Sequence, residues 1–237
     1  MYLFDVDGTL LSPSPVHGAA FDYALESVYG TTLTIAGVEG EGRTDAWILA
    51  EPLRRAGWRE DRIIARLPRA FGAMVDYFNV HVGDSGSAVL PGVPELLSGL
   101  QAEDQLLGLI TGNLKGIAMS KLHRTRLASF FEAGAFGELS FQRSDLVPIA
   151  ITNVSRATAR DVPKERIVVV GDTPLDIEAG RDNGVCTAAV ATGIYTKAKL
   201  QACGADLVIP SFADWQGALN ELLTLIRDRN KEGDGRG

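Results

Sequence analysis

Two aspartates stand two positions apart near the start of the chain, in "FDVDGTL", directly after the apolar run at residues 1–4. In an extended strand, residues i and i+2 point to the same side, so Asp5 and Asp7 address one site. Gly8 lets the backbone turn sharply behind them. Carboxylates buried without partners are costly, and oxygens gathered at a strand end form a hard-donor site suited to Mg²⁺. A second acidic pair occurs in "VVVGDTPLD", where Asp172 closes an apolar run and Asp176 lies one helical turn later. Thr173-Pro174 reads as a helix start, which places both acids near a helix N-terminus. In "LGLITGN", Thr111 ends a third apolar run, and the backbone amides of the following turn are free to bind an anion. Carboxylates that can hold a metal, beside donors that can hold an anion, point to phosphoryl chemistry.

The elements that must position these groups are legible as periodicity. Short β-branched runs at 2–6, 105–110, 166–170, 185–190 and 206–209 read as fully buried parallel strands. Helical patterns lie at 93–102, 114–128, 145–160, 174–183 and 211–227. This alternation predicts an α/β fold with a doubly wound parallel sheet, which binds ligands at the carboxyl ends of its strands. Residues 12–88 break the alternation and carry no convincing strand. Ser14, Pro15 and Gly30 bracket a helix there. Ile63, Leu67, Phe71, Met74 and Phe78 recur at three- and four-residue intervals, the stripe of one buried helical face. Pro52 and Pro68 predict kinks or breaks. The expected organisation is therefore a core domain from 1–12 and 90–228, an inserted helical domain at 13–89, and a polar, flexible tail at 229–237.

Composition narrows the function classes. With 237 residues, 46% of them hydrophobic, the chain can bury one large core or two modest ones. The formal charge of −7 and the lack of basic runs exclude a nucleic-acid footprint. The apolar runs are far too short for a membrane span, and no signal-peptide pattern opens the sequence, so a cytoplasmic protein is expected. Cys186 and Cys203 read as buried thiols rather than a disulfide or metal site.

In order, "DVDGTL", "ITGN" and "GDTPLD" resemble motifs I, II and IV of the haloacid dehalogenase-like superfamily. The likeness is greatest to its phosphoglycolate-phosphatase-like hydrolases with a helical cap, and it extends over nearly the whole chain. It implies a Rossmann-like core and a phosphatase acting on a small phosphorylated metabolite. Asp5 would be the nucleophile that forms an aspartyl-phosphate, and Asp7 the acid/base that protonates the leaving alkoxide and then activates water. Mg²⁺ would be held by Asp5, the Asp7 backbone carbonyl and Asp172, with Asp176 as a further ligand or an outer partner. Thr111, Gly112 and Asn113 would hold phosphoryl oxygens. The dehalogenases of the superfamily lack an acid at the position of Asp7, so its presence favours phosphoryl transfer.

One departure stands out. The resemblance implies a lysine ahead of the helix leading to motif IV, and none is present there. Arg143 is the candidate for that role, with Lys115 as a substitute, while Lys164 precedes a strand and belongs at the wrong end of the sheet. "EGRTDAW" at 41–47 resembles the cap loop that reaches the active site, which makes Arg43 a candidate contact for a substrate carboxylate or phosphate. His17, His81 and His123 are expected at the surface or as caps, and Trp47, Trp58 and Trp215 in packing. Two competing readings use the same residues: a phosphotransferase or sugar-phosphate mutase, and a phospho-ligand sensor with vestigial catalysis. The chain could act as a monomer or a homodimer.

Overall fold

The computed structural model describes residues 1–83 and 86–234. The first strand, β1 (Tyr2–Phe4), leads into four helices: α1 (Pro15–Tyr29), α2 (Asp45–Arg55), α3 (Glu60–Ile64) and α4 (Leu67–His81). Strands and helices then alternate: α5 (Val93–Ala102), β2 (Leu107–Ile110), α6 (Lys115–Arg124), β3 (Ala133–Ala135), α7 (Leu146–Thr158), β4 (Val168–Gly171), α8 (Pro174–Asp182), β5 (Cys186–Val190), α9 (Lys197–Ala202), β6 (Leu207–Ile209) and α10 (Trp215–Asp234). The six strands form one sheet in the order β3-β2-β1-β4-β5-β6, and every pairing is parallel. The doubly wound α/β class is as expected. β3 is an addition: its sequence, Ala-Gly-Ala, has none of the β-branched residues by which the other strands were recognised.

β1 lies at the centre, with Phe4 opposite Leu109 of β2 and Val170 of β4. Strand periodicity divides its side chains between two cores. Tyr2 and Phe4 pack with residues of α5, α6 and α10, while Leu3 joins Ile110, Val169 and the apolar face of α7. The order reverses across β1, and a crevice opens at the carboxyl ends where connections diverge to opposite sides.

The four helices after β1 share a third core containing Phe21, Leu25, Leu49, Leu53, Met74 and Phe78, to which α6 contributes Leu114 and Ile117. The stripe read from the sequence is divided: Ile63 belongs to α3, and Pro68 sits in the first turn of α4. Pro52, by contrast, lies within α2, which continues to Arg55. Gly30 ends α1 in the left-handed conformation, while Ser14 occupies the N-cap without a side-chain capping bond. The chain leaves and re-enters the sheet region through a paired neck: Ser12 N–H donates to the Ala88 carbonyl (2.8 Å) and Leu90 N–H to the Leu10 carbonyl (3.0 Å). Among the described residues, no helix is long and apolar enough to cross a membrane. Of the expected tail, α10 takes in the residues up to Asp234, and 235–237 lie outside the described residues.

Candidate active site

The carboxyl ends of β1, β2 and β4 bring the three motifs to one cavity of about 360 Å³. Asp5, Asp7, Gly112, Asn113, Arg143 and Asp172 line it from the sheet side, and Phe21, Ile35, Val38, Arg43 and Ile48 from the helical side.

Asp5 follows β1 directly, its N–H donating to the Val170 carbonyl (2.9 Å). Its carboxylate, Asp172 and Asp176 each offer an oxygen within 4.8 Å of the others, and all three residues are buried. Burial first, and the neighbouring carboxylates second, push Asp172 up to about 8. Burial likewise raises Asp5, to about 6, although Arg143 opposes the shift. Three buried carboxylates at this separation, all oxygen donors, fit a hard divalent cation. The backbone is cut to accommodate them. A Cβ on Gly193 would lie 1.8 Å from Asp172 Oδ2, and one on Gly8, where φ is +79°, only 2.4 Å from it.

Asp176 has a second duty. It forms a capping box at the start of α8: its Oδ2 accepts from Thr173 N–H (3.0 Å) and the Thr173 hydroxyl (2.7 Å). Its Oδ1 lies 2.6 Å from Arg143 Nη2, which also stands 3.0 Å from Asp5 Oδ1. Arg143, with only 4% of its side chain exposed, thus bridges Asp5 and the helix cap. Its Nη1 donates to the Gly42 carbonyl (3.0 Å) in the loop before α2. Lys115 and Lys164 stand elsewhere: Lys115 lies over the Phe136 ring, and Lys164 donates to the Asn183 carbonyl.

Asp7 belongs to a different network. Its Oδ2 accepts from Lys121 Nζ (2.5 Å) and Asn113 Nδ2 (3.0 Å). Burial would raise its proton affinity, but Lys121 and His17 outweigh that and hold the carboxyl well below the usual range. Thr111 is fully buried beneath this corner, and its Oγ accepts the Asn113 N–H (3.2 Å). Gly112 and Asn113 form the wall above. Arg43 lines the opposite wall with its guanidinium 4.6 Å from the centre of the Trp47 ring. A Cβ on Gly112 would stand 2.1 Å from the Arg43 carbonyl oxygen, so the two walls meet at backbone distance.

Three residues of the Asp7 network were not anticipated. His17, expected at the surface or as a cap, is buried, with Nε2 2.9 Å from Asp45 Oδ2. Asp45 raises its proton affinity against the opposing effect of burial. Asp45 also accepts the Leu114 N–H (2.7 Å), and Lys121 reaches in from α6 with no exposed side-chain surface. A signal did exist. Lys121 follows Ile117 by four positions on the buried stripe of α6, and His17 precedes Phe21 and Leu25 on that of α1. A charged residue on an apolar stripe calls for a partner. His81 and His123 are exposed, as expected.

The chain is similar to known proteins over most of its length. The family model described as haloacid dehalogenase-like hydrolase matches residues 2–190. A phosphoglycolate phosphatase from Caulobacter vibrioides is 31% identical over 228 residues, covering 93% of this chain and 91% of that protein. A phosphoglycolate phosphatase from Synechococcus elongatus is 25% identical over 230 residues, covering 93% and 97%. Among solved structures, CbbY from Rhodobacter sphaeroides in complex with phosphate aligns with a TM-score of 0.70 at 21% identity, covering 90% of this chain and 94% of that one.

Proposed function

The chain belongs to the haloacid dehalogenase-like hydrolases, and from that premise we propose a Mg²⁺-dependent phosphatase acting on a small phosphomonoester of the phosphoglycolate type. The observation that carries the proposal is the separation of two neighbouring carboxylates into opposite environments. Asp5 sits among acids and one arginine, whereas Asp7 sits on a lysine. Two neighbouring carboxylates that divide nucleophilic and proton-transfer work need different environments, and a divalent cation among Asp5, Asp172 and Asp176 would return Asp5 to the ionised form that attack requires.

Asp5 would attack phosphorus and release the alcohol, leaving an aspartyl-phosphate. Asp7 would give its proton to the departing oxygen and then take one from the attacking water. The lysine pairing keeps Asp7 ionised, the form the second task starts from, and a phosphate dianion arriving close to Asp7 favours the protonated form needed for the first. Arg143 would steady Asp5 and the phosphoryl group, and the loop at 111–113 would orient the phosphoryl oxygens. Asp5, Asp172, the Asp7 carbonyl and Asp176 would hold Mg²⁺, which supplies positive charge against the reacting phosphoryl group. Residues 13–89 would act as a cap that closes the cavity to bulk water. Arg43 is the cap's cationic contribution to the cavity wall and suits a substrate carboxylate, in keeping with the phosphoglycolate phosphatases among the relatives.

The test is phosphate release from a panel including phosphoglycolate and glycerol 3-phosphate, with and without Mg²⁺, for the parent and Asp5→Asn. Metal-dependent release that disappears in the variant is the expected result. Undiminished release by Asp5→Asn would remove the nucleophile from the scheme. Transfer to an added alcohol in place of phosphate release would identify a phosphotransferase.

A further inference from the structure

A lysine ammonium has three donors, and Lys121 uses all of them inside the protein. They go to Asp7 Oδ2 (2.5 Å), Asn113 Oδ1 (2.7 Å) and His17 Nδ1 (3.2 Å). An isolated structural ion pair in such a position could be exchanged for apolar packing with little loss of stability. Here the lysine's partners are a cavity-lining acid, a cavity-lining amide and a histidine from another part of the chain. Asn113 closes the arrangement, accepting from Lys121 through Oδ1 and donating to Asp7 through Nδ2 (3.0 Å). Both contacts fall on Asp7 Oδ2, while Oδ1, itself buried, has no hydrogen-bonding partner among the described residues. The carboxylate is therefore held in orientation through one oxygen, beside the cavity that Asp7 lines.

The seat is completed across the junction between the helical region and α6. His17 comes from α1 and Asp45 from α2, whereas Lys121 and the Leu114 N–H belong to α6 and its N-cap. With His17 Nδ1 accepting from Lys121, its Nε2–H donates to Asp45 Oδ2 (2.9 Å), and that same oxygen accepts from Leu114 (2.7 Å).

We propose that Lys121 is a positioning residue for Asp7, and that His17 and Asp45 complete its seat, so that the orientation of the acid/base depends on docking of the helical region. The proposal rests on the reading of Asp7 as the acid/base and of Asp5 as the phosphorylated residue. The step concerned is hydrolysis of the aspartyl-phosphate. Water oxygen bonds to phosphorus, the bond from phosphorus to the Asp5 carboxyl oxygen breaks, and the water proton passes to the Asp7 carboxylate. Inorganic phosphate and the free Asp5 carboxylate result.

Burst kinetics with 4-nitrophenyl phosphate isolate that step. Nitrophenolate leaves without needing a proton, so phosphorylation of Asp5 depends little on Asp7, whereas steady-state turnover requires Asp7 as base. Displacing a catalytic group by about 1 Å is enough to lose about 100-fold in rate. Lys121→Met is expected to retain a nitrophenolate burst within about threefold of the parent in rate, while steady-state turnover falls about 10- to 100-fold, within the range of general-base effects. Asp45→Asn, which keeps its shape and most of its packing, provides a second variant should Lys121→Met fold poorly. It is expected to slow the same phase and spare the burst. In an Asp7→Asn background, adding Lys121→Met should cause no further fall. A burst that collapses in parallel with turnover in folded protein would show a merely structural lysine, and unchanged turnover in both variants would refute the proposal outright. Parent-like turnover by Asp7→Asn would instead overturn the acid/base reading, and with it the basis for this one.

Discussion

Replacing Arg143 with methionine removes the cation that stands between Asp5 and Asp176 while preserving most of the side chain's volume. The structure places its guanidinium 3.0 Å from one carboxylate and 2.6 Å from the other, with 4%, 7% and 2% of the three side chains exposed. Removing one partner of a buried ion pair costs about 3–5 kcal/mol, because a charge is left uncompensated. A chain of this size loses about 2–4 °C of melting temperature per kcal/mol. Arg143→Met should therefore melt about 6–20 °C below the parent at pH 7.5 in a chelator, conditions that keep a metal from replacing the lost charge. The pH dependence has a definite sign. Asp5 titrates at about 6 in the folded protein against an ordinary value of 3.8. The stability gained by its protonation is complete below the ordinary value and is lost as pH rises through the folded one. Without Arg143 the folded value moves higher still, so the gap between variant and parent should open above pH 6 and narrow towards pH 5. Differential scanning fluorimetry across pH 5–8.5 measures both effects. A variant that melts within about 2 °C of the parent at pH 7.5, against the several degrees expected from a buried pair, would refute the reasoning. So would a gap that stays constant with pH.

Two further outcomes follow from the same geometry. In Gly112→Ala, the new Cβ meets the Arg43 carbonyl oxygen at 2.1 Å, beside the Asp45 N–H to Gly112 carbonyl bond of 2.7 Å. The loop at 42–45 must withdraw, and KM for the best substrate should rise about tenfold with a smaller effect on melting, since misplaced binding groups weaken capture before they unfold anything. For the metal-free parent, Asp172, raised to about 8, should make stability increase as pH falls from 8.5 to 5. At pH 8, Mg²⁺ at about 100 times its Kd should restore about 2.7 kcal/mol. Asp172→Asn should flatten the pH response above about pH 7, leaving that of Asp5 at about 6, and should abolish the Mg²⁺ response. A Mg²⁺ response of undiminished size in melting curves would remove Asp172 from the metal site.

The parts of the site visible in the sequence are those whose function depends on a strand end. Asp5, Asp172 and the 111–113 turn each follow an apolar run, and a parallel sheet brings such ends to one edge. Arg143 could be singled out because a cation was missing where the resemblance to the family called for one. Lys121, His17 and Asp45 depend instead on how helices dock, which no local spacing encodes. Asp45 reads as an ordinary helical residue, and the apolar stripes that carry Lys121 and His17 call for partners without naming them until α1, α2 and α6 are brought together. β3 escaped notice for another reason. A strand of alanine and glycine has no periodic signature, and its place is set by pairing with β2, where Gly134 packs against Leu109. Pro52 shows propensity overridden by context: its helix continues because Leu49 and Leu53 on either side are anchored in the core.

The central position of β1 also governs when the enzyme can assemble during synthesis. Its neighbours are Leu107 on one side and Val168 on the other, so the strand that leads into Asp5 emerges from the ribosome long before either exists. The helices after it can gather most of their own core in the meantime, lacking Leu114 and Ile117 at the start of α6 and Phe141 beyond β3. Pairings so distant in sequence close slowly, and the residues of β1, translated before both of their neighbours, are among the last to find their places. A nascent chain stalled before residue 168 would carry Asp5 at the end of a strand with an unpaired edge. Such an edge is a natural point of engagement for a chaperone, and in its absence a point of self-association.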